Sequence, residues 1–433
     1  MSFHLSIFTS FVISSWGIPL YGGIGELGYY FVDVLVGTPA QRISAILDTG
    51  SDGLSITCST CASCGAIHMD PFYNPDISET FARLEKCPAS HLRNTDCIFE
   101  KRYLEGSSLK GKIISDVISF ENSQINKTMG FGCIESETKL FMEQAANGLM
   151  GLAPQAKTNW LFSNEKIEAF SLCLSRHGGE LEFYHTRPQP GEAVLLQYRN
   201  GHYVVEPLKI GLKDSKNYSW EWETDEIMKY LGDEVLIDSG STETYLVSEF
   251  YDKIVSHIRE RVRNSAFEPP IIEDPTGPAL CWLSDVTETI NPLLPEILFT
   301  FPKILRDDNT TVVFNNYTYF SASRTCLGIA SNGRLKRTDL GASWLINRKI
   351  ILTSSQGWAT FEPTQCEEHR IETRQPVIPL PGHIERNRVK YFLPVLSAVI
   401  MMTALLIHIV RRHILFPYRG YDSVIADTNE HTS

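Results

Sequence analysis

The chain has 433 residues, 43% of them hydrophobic and 21% charged, with a formal net charge of −12. That length allows roughly three domains or fewer large ones, with ample core. The acidic balance excludes a phosphate-binding surface, which needs clustered Lys and Arg, so nucleic acid is not an expected partner.

Residues 1–17 hold a short apolar block, too brief to cross a bilayer. It reads as a secretory signal peptide in preference to a buried first strand, although no Lys or Arg precedes it. Strand-like runs follow, among them YYFVDVLVGTPAQ, KGKIISDVISF, GHYVVEPLKIGL and TVVFNNYTYF, punctuated by Gly, Asn, Asp and Pro. Without regular βαβ spacing, they predict an all-β architecture with antiparallel sheets. Turn residues across 184–193 divide a first lobe, 18–187, from a second, 188–366. The clearest helical period is SEFYDKIVSHIRERVRN, 248–264. Residues 367–390, with three prolines, read as an extended luminal stalk.

Residues 391–410 contain no acidic residue, Lys or Arg. At about 1.5 Å per residue they cover the roughly 30 Å hydrocarbon core, which predicts a transmembrane helix. Basic residues flank it on both sides, so the signal peptide sets the orientation: single-pass type I, the large amino-terminal part luminal, cytosolic tail 411–433. The tail contains Tyr421-Asp422-Ser423-Val424, which resembles a tyrosine-based sorting signal. Sequons at Asn126, Asn217, Asn309 and Asn316 agree with a luminal, glycosylated chain in the endoplasmic reticulum or Golgi membrane. The short interval before YYFVDVLVGTPAQ predicts that no prosegment has to be removed.

Each lobe carries one apolar strand running into an acid: AILDTGS around Asp48 and VLIDSGS around Asp238. One such motif alone is usually an Asx-turn. Two in matching frames suggest an internal repeat, hence two lobes with a cleft between them. Two carboxylates a few ångströms apart cannot both ionise cheaply, so one keeps its proton. The charged member can activate a water as general base while its partner protonates a peptide carbonyl as general acid. Gly50 and Gly240 allow close approach of the two loops. The hydroxyls of Thr49 and Ser239 are placed to tie the loops together, and those of Ser51 and Ser241 to support the carboxylates. This chemistry calls for no cofactor and no metal.

YYFVDVLVGTPAQRISAILDTGS, RYLEGSSLKGKIISDVISF, AANGLMGLAP and VLIDSGSTETYL together resemble the pepsin-type aspartic proteases, in that family's order and over nearly the whole luminal part. The resemblance implies a bilobal pepsin-like fold with the dyad at the base of a central cleft and peptide or protein substrates. The chain is expected to act as a monomer. Leu149-Met150-Gly151 and, less cleanly, Leu340-Gly341 match the family's hydrophobic-hydrophobic-Gly segments. RYLEGSSLKG resembles the flap hairpin over substrate, with Tyr103 as flap tyrosine and Gly106 in its turn. Where relatives often carry a Trp that bonds this Tyr, the present chain has Ser55, so its flap anchoring is expected to differ.

The segment CSTCASCGAIHMDPFYNP, Glu105 in the flap and the terminal span resemble the plasmepsin V subfamily of apicomplexan parasites. That likeness implies a secretory-pathway protease cutting after Leu in Arg-x-Leu export motifs, with Glu105 pairing the substrate arginine. Taken alone, Glu105 reads equally as a solvated hairpin-tip acid. Leu104 stands where the subfamily has a Cys. A broad-specificity endosomal or Golgi acid protease, or a peptide-binding receptor on the same scaffold, are the rival readings.

Cys58, Cys61, Cys64, Cys87, Cys97, Cys133, Cys173, Cys281, Cys326 and Cys366 form an even set, read as disulfides in a luminal chain. Cys281 is expected to bond Cys326 within the second lobe, and Cys173 to bond Cys366 between lobes. The other six allow fifteen pairings. A zinc site from Cys58, Cys61, Cys64 and His68 is the sharper alternative. His68, His177 and His257 otherwise read as surface or core histidines.

Overall fold

The structure, a computed structural model, describes residues 17–374 apart from 85–91, 94–95, 122, 155–165, 190–191, 215–218, 223, 266–270, 274–278, 283–284, 305–307, 316, 322 and 355–356. The expected signal peptide up to residue 16, the span 391–410, the tail, Cys87, Asn217 and Asn316 lie outside the described residues. Among the described residues no helix is long and apolar enough to cross a membrane.

Strands dominate, as the alternating runs predict. In Gln41–Asp48 the residues Ile43, Ala45 and Leu47 point into the main core while Ile46 packs into a second apolar cluster. Both faces are covered, which explains why this strand reads as an apolar run instead of a clean alternation. It pairs antiparallel with Tyr29–Val36 and parallel with Gly148–Leu152. Gly148–Leu152 in turn pairs antiparallel with Asp52–Thr57, the strand leaving the Asp48 loop. The loop is thus gripped from both flanks.

The second half repeats this topology. Val235–Ile237 runs parallel to Thr338–Leu340, matching Ile237 with Leu340 as Leu47 matches Met150. Thr244–Leu246 lies parallel to Arg324–Ser331, as Asp52–Thr57 lies parallel to Asn126–Glu137. The halves are not separate sheets. Ala169–Leu174, from before the turn-rich 184–193 stretch, pairs with Arg348–Thr353 from far beyond it. The helix Ser248–Arg263 buries Phe250, Ile254, Val255, Ile258 and Val262 on one stripe, as its period predicts.

Cys281–Cys326 and Cys173–Cys366 are bonded as expected, and Cys58–Cys133 and Cys61–Cys64 add two more bridges. Cys97 is also disulfide-bonded. The zinc alternative is therefore overturned: its three thiols are consumed as disulfides, and His68 bonds the Ala146 carbonyl at 2.8 Å and Glu137 at 3.0 Å. His177 contacts Glu26 at 2.6 Å, and His257 lies 3.3 Å from Asp214. Asn126 and Asn309 are exposed at the starts of their strands.

Residues 367–374, the start of the expected stalk, are docked instead of extended. The His369 amide donates to the His177 carbonyl at 2.8 Å. After a single turn at Ile371–Thr373, Arg374 reaches two buried acids, bonding Asp33 Oδ1 at 2.5 Å and Asp70 Oδ2 at 2.9 Å. Asp70 accepts the Ser44 amide at 3.0 Å, so this contact braces the strand that ends in Asp48.

Candidate active site

Asp48 and Asp238 sit at the ends of the two equivalent strands, and their loops face each other. The Thr49 amide donates to Ser239 Oγ at 3.0 Å and the Ser239 amide to Thr49 Oγ1 at 2.9 Å. Each hydroxyl then crosses further: Thr49 Oγ1 donates to the Ile237 carbonyl and Ser239 Oγ to the Leu47 carbonyl, both at 2.9 Å. Four reciprocal bonds, all buried, fix the separation of the two acids.

Glycine follows from that closeness. A Cβ on Gly50 would lie 2.5 Å from Asp238 Oδ1, and one on Gly240 would lie 2.5 Å from Asp48 Oδ1. No other residue fits either position. The Gly50 amide donates to Asp48 Oδ1 at 2.8 Å and the Gly240 amide to Asp238 Oδ1 at 3.1 Å. Ser51 Oγ donates to Asp48 Oδ2 at 2.5 Å and Ser241 Oγ to Asp238 Oδ2 at 2.7 Å. The six supporting residues named from sequence therefore all bear directly on the pair.

Burial, then the charge of Asp238, pushes the Asp48 carboxyl up to about 7, against the opposing bonds from Ser51 and Gly50. Asp48 is 6% exposed, so the effect is not screened away by solvent. One proton is thus held on the pair well above the ordinary carboxylate range, the state that acid–base hydrolysis needs.

The flap expectation is met in place and altered in detail. The antiparallel strands Asp96–Arg102 and Ser108–Phe120 form a hairpin, closed by a Tyr103 amide to Ser107 carbonyl bond of 2.9 Å. Gly106 has a φ of +89°, which lets the turn close without a Cβ penalty. Leu104 and Glu105 are exposed at the tip, where the Ser107 hydroxyl donates to the Glu105 carboxylate. Tyr103 is raised by burial and then by Asp48, so its hydroxyl keeps its proton. That hydroxyl is buried near Ser51 without meeting any partner at hydrogen-bond geometry.

Ser55, 1% exposed, lies beneath Gly132 and Phe99, too short to reach out as a Trp would. Tyr103 is held by its ring, which packs edge-on against Phe141 at 5.0 Å. Tyr103→Phe is accordingly expected to change the melting temperature by less than about 2 °C, because no hydrogen bond is lost. A thermal melt that falls much further would show a hidden partner for the hydroxyl.

Two neighbours were missed by sequence reasoning. Lys101 donates to the Asp52 carbonyl and lies 3.8 Å from the Asp52 carboxylate. Burial lowers its pKa, opposed by the charges of Asp52 and Asp48, so a cation stands within the field of the dyad. Strand alternation places it on the same face as Tyr103, a signal available from the period of two. Phe141, from the turn Lys139–Met142, had no local signature at all.

Comparison with known proteins agrees with this geometry. A family model described as Xylanase inhibitor N-terminal matches residues 30–183, and one described as Xylanase inhibitor C-terminal matches 226–347. Plasmepsin V of Plasmodium falciparum is 37% identical over 179 residues, 37% of this chain and 30% of the relative. Aspartic protease 5 of Toxoplasma gondii is 34% identical over 194 residues, 37% of this chain and 20% of that protein. The chain thus aligns with less than a third of these two relatives' lengths. Aspartic proteinase nepenthesin-2 of Nepenthes gracilis is 24% identical over 380 residues, covering 82% of this chain and 81% of the relative. With both halves matched, and one Asp loop inside each matched range, the chain belongs to the pepsin-like aspartic protease family.

Proposed function

We propose that the protein is a membrane-anchored aspartic endopeptidase of the secretory pathway that cuts after Leu in Arg-x-Leu sequences of secreted or exported proteins. The observation that carries the enzymatic reading is the pair Asp48 and Asp238, each with its own Ser and Gly donors, locked together by the Thr49–Ser239 cross-bonds. A peptide lies in the cleft between the two halves, under the hairpin that carries Tyr103. The carboxylate of the pair takes a proton from water as that water attacks the scissile carbonyl. The protonated partner gives its proton to the carbonyl oxygen; the tetrahedral adduct then expels the amine, which takes the proton removed from water, while an adduct hydroxyl returns its proton to the partner.

Disulfides among the described residues support an oxidising compartment, and the apolar run 391–410 supports a single membrane anchor. Glu105 supports the arginine preference: it is an exposed carboxylate at the hairpin tip, steadied by Ser107. A charge-assisted pair of this kind is worth about 1.5–3 kcal/mol, so Glu105→Ala is expected to cut kcat/KM for Arg-x-Leu peptides by roughly tenfold or more. Peptides with a neutral residue in place of the Arg should be cleaved as before. A peptide library that shows no Arg preference in the wild-type protein would favour a broad-specificity acid protease. Peptide binding without any cleavage would favour a receptor on the same scaffold.

A further inference from the structure

Away from the dyad, a cavity of about 680 Å³ opens between the segment Ile24–Glu26, the strand Asn309–Phe314 and the start of Arg348–Thr353. None of its lining residues belongs to the Asp loops or to the hairpin over them. Its volume suits a small organic molecule, and Phe314, Tyr317, Tyr319, Phe320 and Phe361 give it an aromatic wall.

The charges around it do not balance. Glu26 is already engaged by His177 at 2.6 Å, and Glu192 by Lys303 at 3.0 Å. Arg176 and Arg348 also line the cavity, yet among the described residues neither has a carboxylate within ion-pair distance. Arg176 is exposed, but Arg348 is only 7% exposed. The Arg348 guanidinium donates to the Trp344 carbonyl and to the Val313 carbonyl at 2.7 Å, and lies 4.6 Å over the Trp344 ring. Its Nε is buried with no acceptor. Burial pushes its pKa down only to about 10, so the group stays charged at neutral pH. A buried cation without a counter-charge is costly, and an anion seated in the adjoining cavity would offset that cost.

We propose that this cavity is a binding site for a small organic carboxylate with an aromatic or alkyl body. The carboxylate sits at Arg348, with Arg176 adding positive charge at the rim, and the apolar body lies against the aromatic wall. This inference is independent of the peptidase reading, since it uses no residue of the dyad.

Calorimetric titration of the purified full-length protein with phenylbutyrate, and separately with its uncharged amide, tests it. The carboxylate is expected to bind at least about tenfold more tightly than the amide. Arg348→Gln should weaken the carboxylate by about tenfold or more and leave the amide unchanged. Because Arg348 is buried, two surface variants stand beside it. Arg176→Glu, and Phe320→Glu at the 43% exposed Phe320, each place a carboxylate at the mouth and should weaken the acid selectively. Equal affinity for acid and amide, or unchanged acid binding in the folded variants, would overturn the proposal.

Discussion

Asp48→Asn is expected to lower peptidase activity by about a thousandfold or more while stabilising the folded protein above pH 7. The kinetic half follows from the loss of one member of a proton-sharing pair; general acid–base action alone is worth roughly 10²–10⁴. The Asn side chain can still accept from the Gly50 amide and donate to Ser51, so the cross-bonded loops should stay in place.

The stability half follows from the raised carboxyl. Asp48 moves from its ordinary value of 3.8 to about 7 on folding, because burial and Asp238 disfavour its charge. The folded chain therefore holds this proton more tightly than the unfolded chain does. Wild-type stability falls as pH rises from about 4 to 7, and is flat in this respect beyond. At about 1.4 kcal/mol per pH unit the penalty is on the order of 3–4 kcal/mol at neutrality. The Asn variant escapes it. Its advantage in denaturant midpoint should be full above about pH 7, shrink as the pH falls and vanish near pH 4; an advantage independent of pH would refute the assignment.

Arg374→Ala should cost about 3–5 kcal/mol of stability, the usual penalty for removing one partner of a buried ion pair. Its side chain is 8% exposed and bridges Asp33 and Asp70, whose side chains are 8% and 2% exposed. Arg42, 3.3 Å from Asp70, compensates one acid, but Asp33 is left with a carboxyl already raised by burial and no guanidinium bonded to it. Adding Asp33→Asn to Arg374→Ala should recover part of the loss, because the orphaned charge is gone. If urea denaturation places the single variant within about 1 kcal/mol of wild type, residues 367–374 do not brace the domain.

The two Asp loops were legible because everything they need is local: an apolar strand, an acid, then Thr or Ser, Gly and Ser. Their pairing was legible because the motif occurs twice in one frame. Arg374 was not, since Asp33 lies 341 residues away in sequence and a proline-bearing, charged segment reads as stalk. Phe141 and the unpartnered Tyr103 hydroxyl were equally hidden. Ser55 signalled that the flap had lost its usual anchor, but which ring replaces it depends on packing between distant turns.

Asp48 and Asp238 work as one unit if they share a single proton. The pH dependence of kcat/KM for an Arg-x-Leu peptide tests it most directly. Activity is expected in the acid range, with a fall of about tenfold per pH unit above about 7, as the shared proton leaves the pair. Activity that stays level through about pH 9, or survives in folded Asp48→Asn and Asp238→Asn proteins, would contradict it.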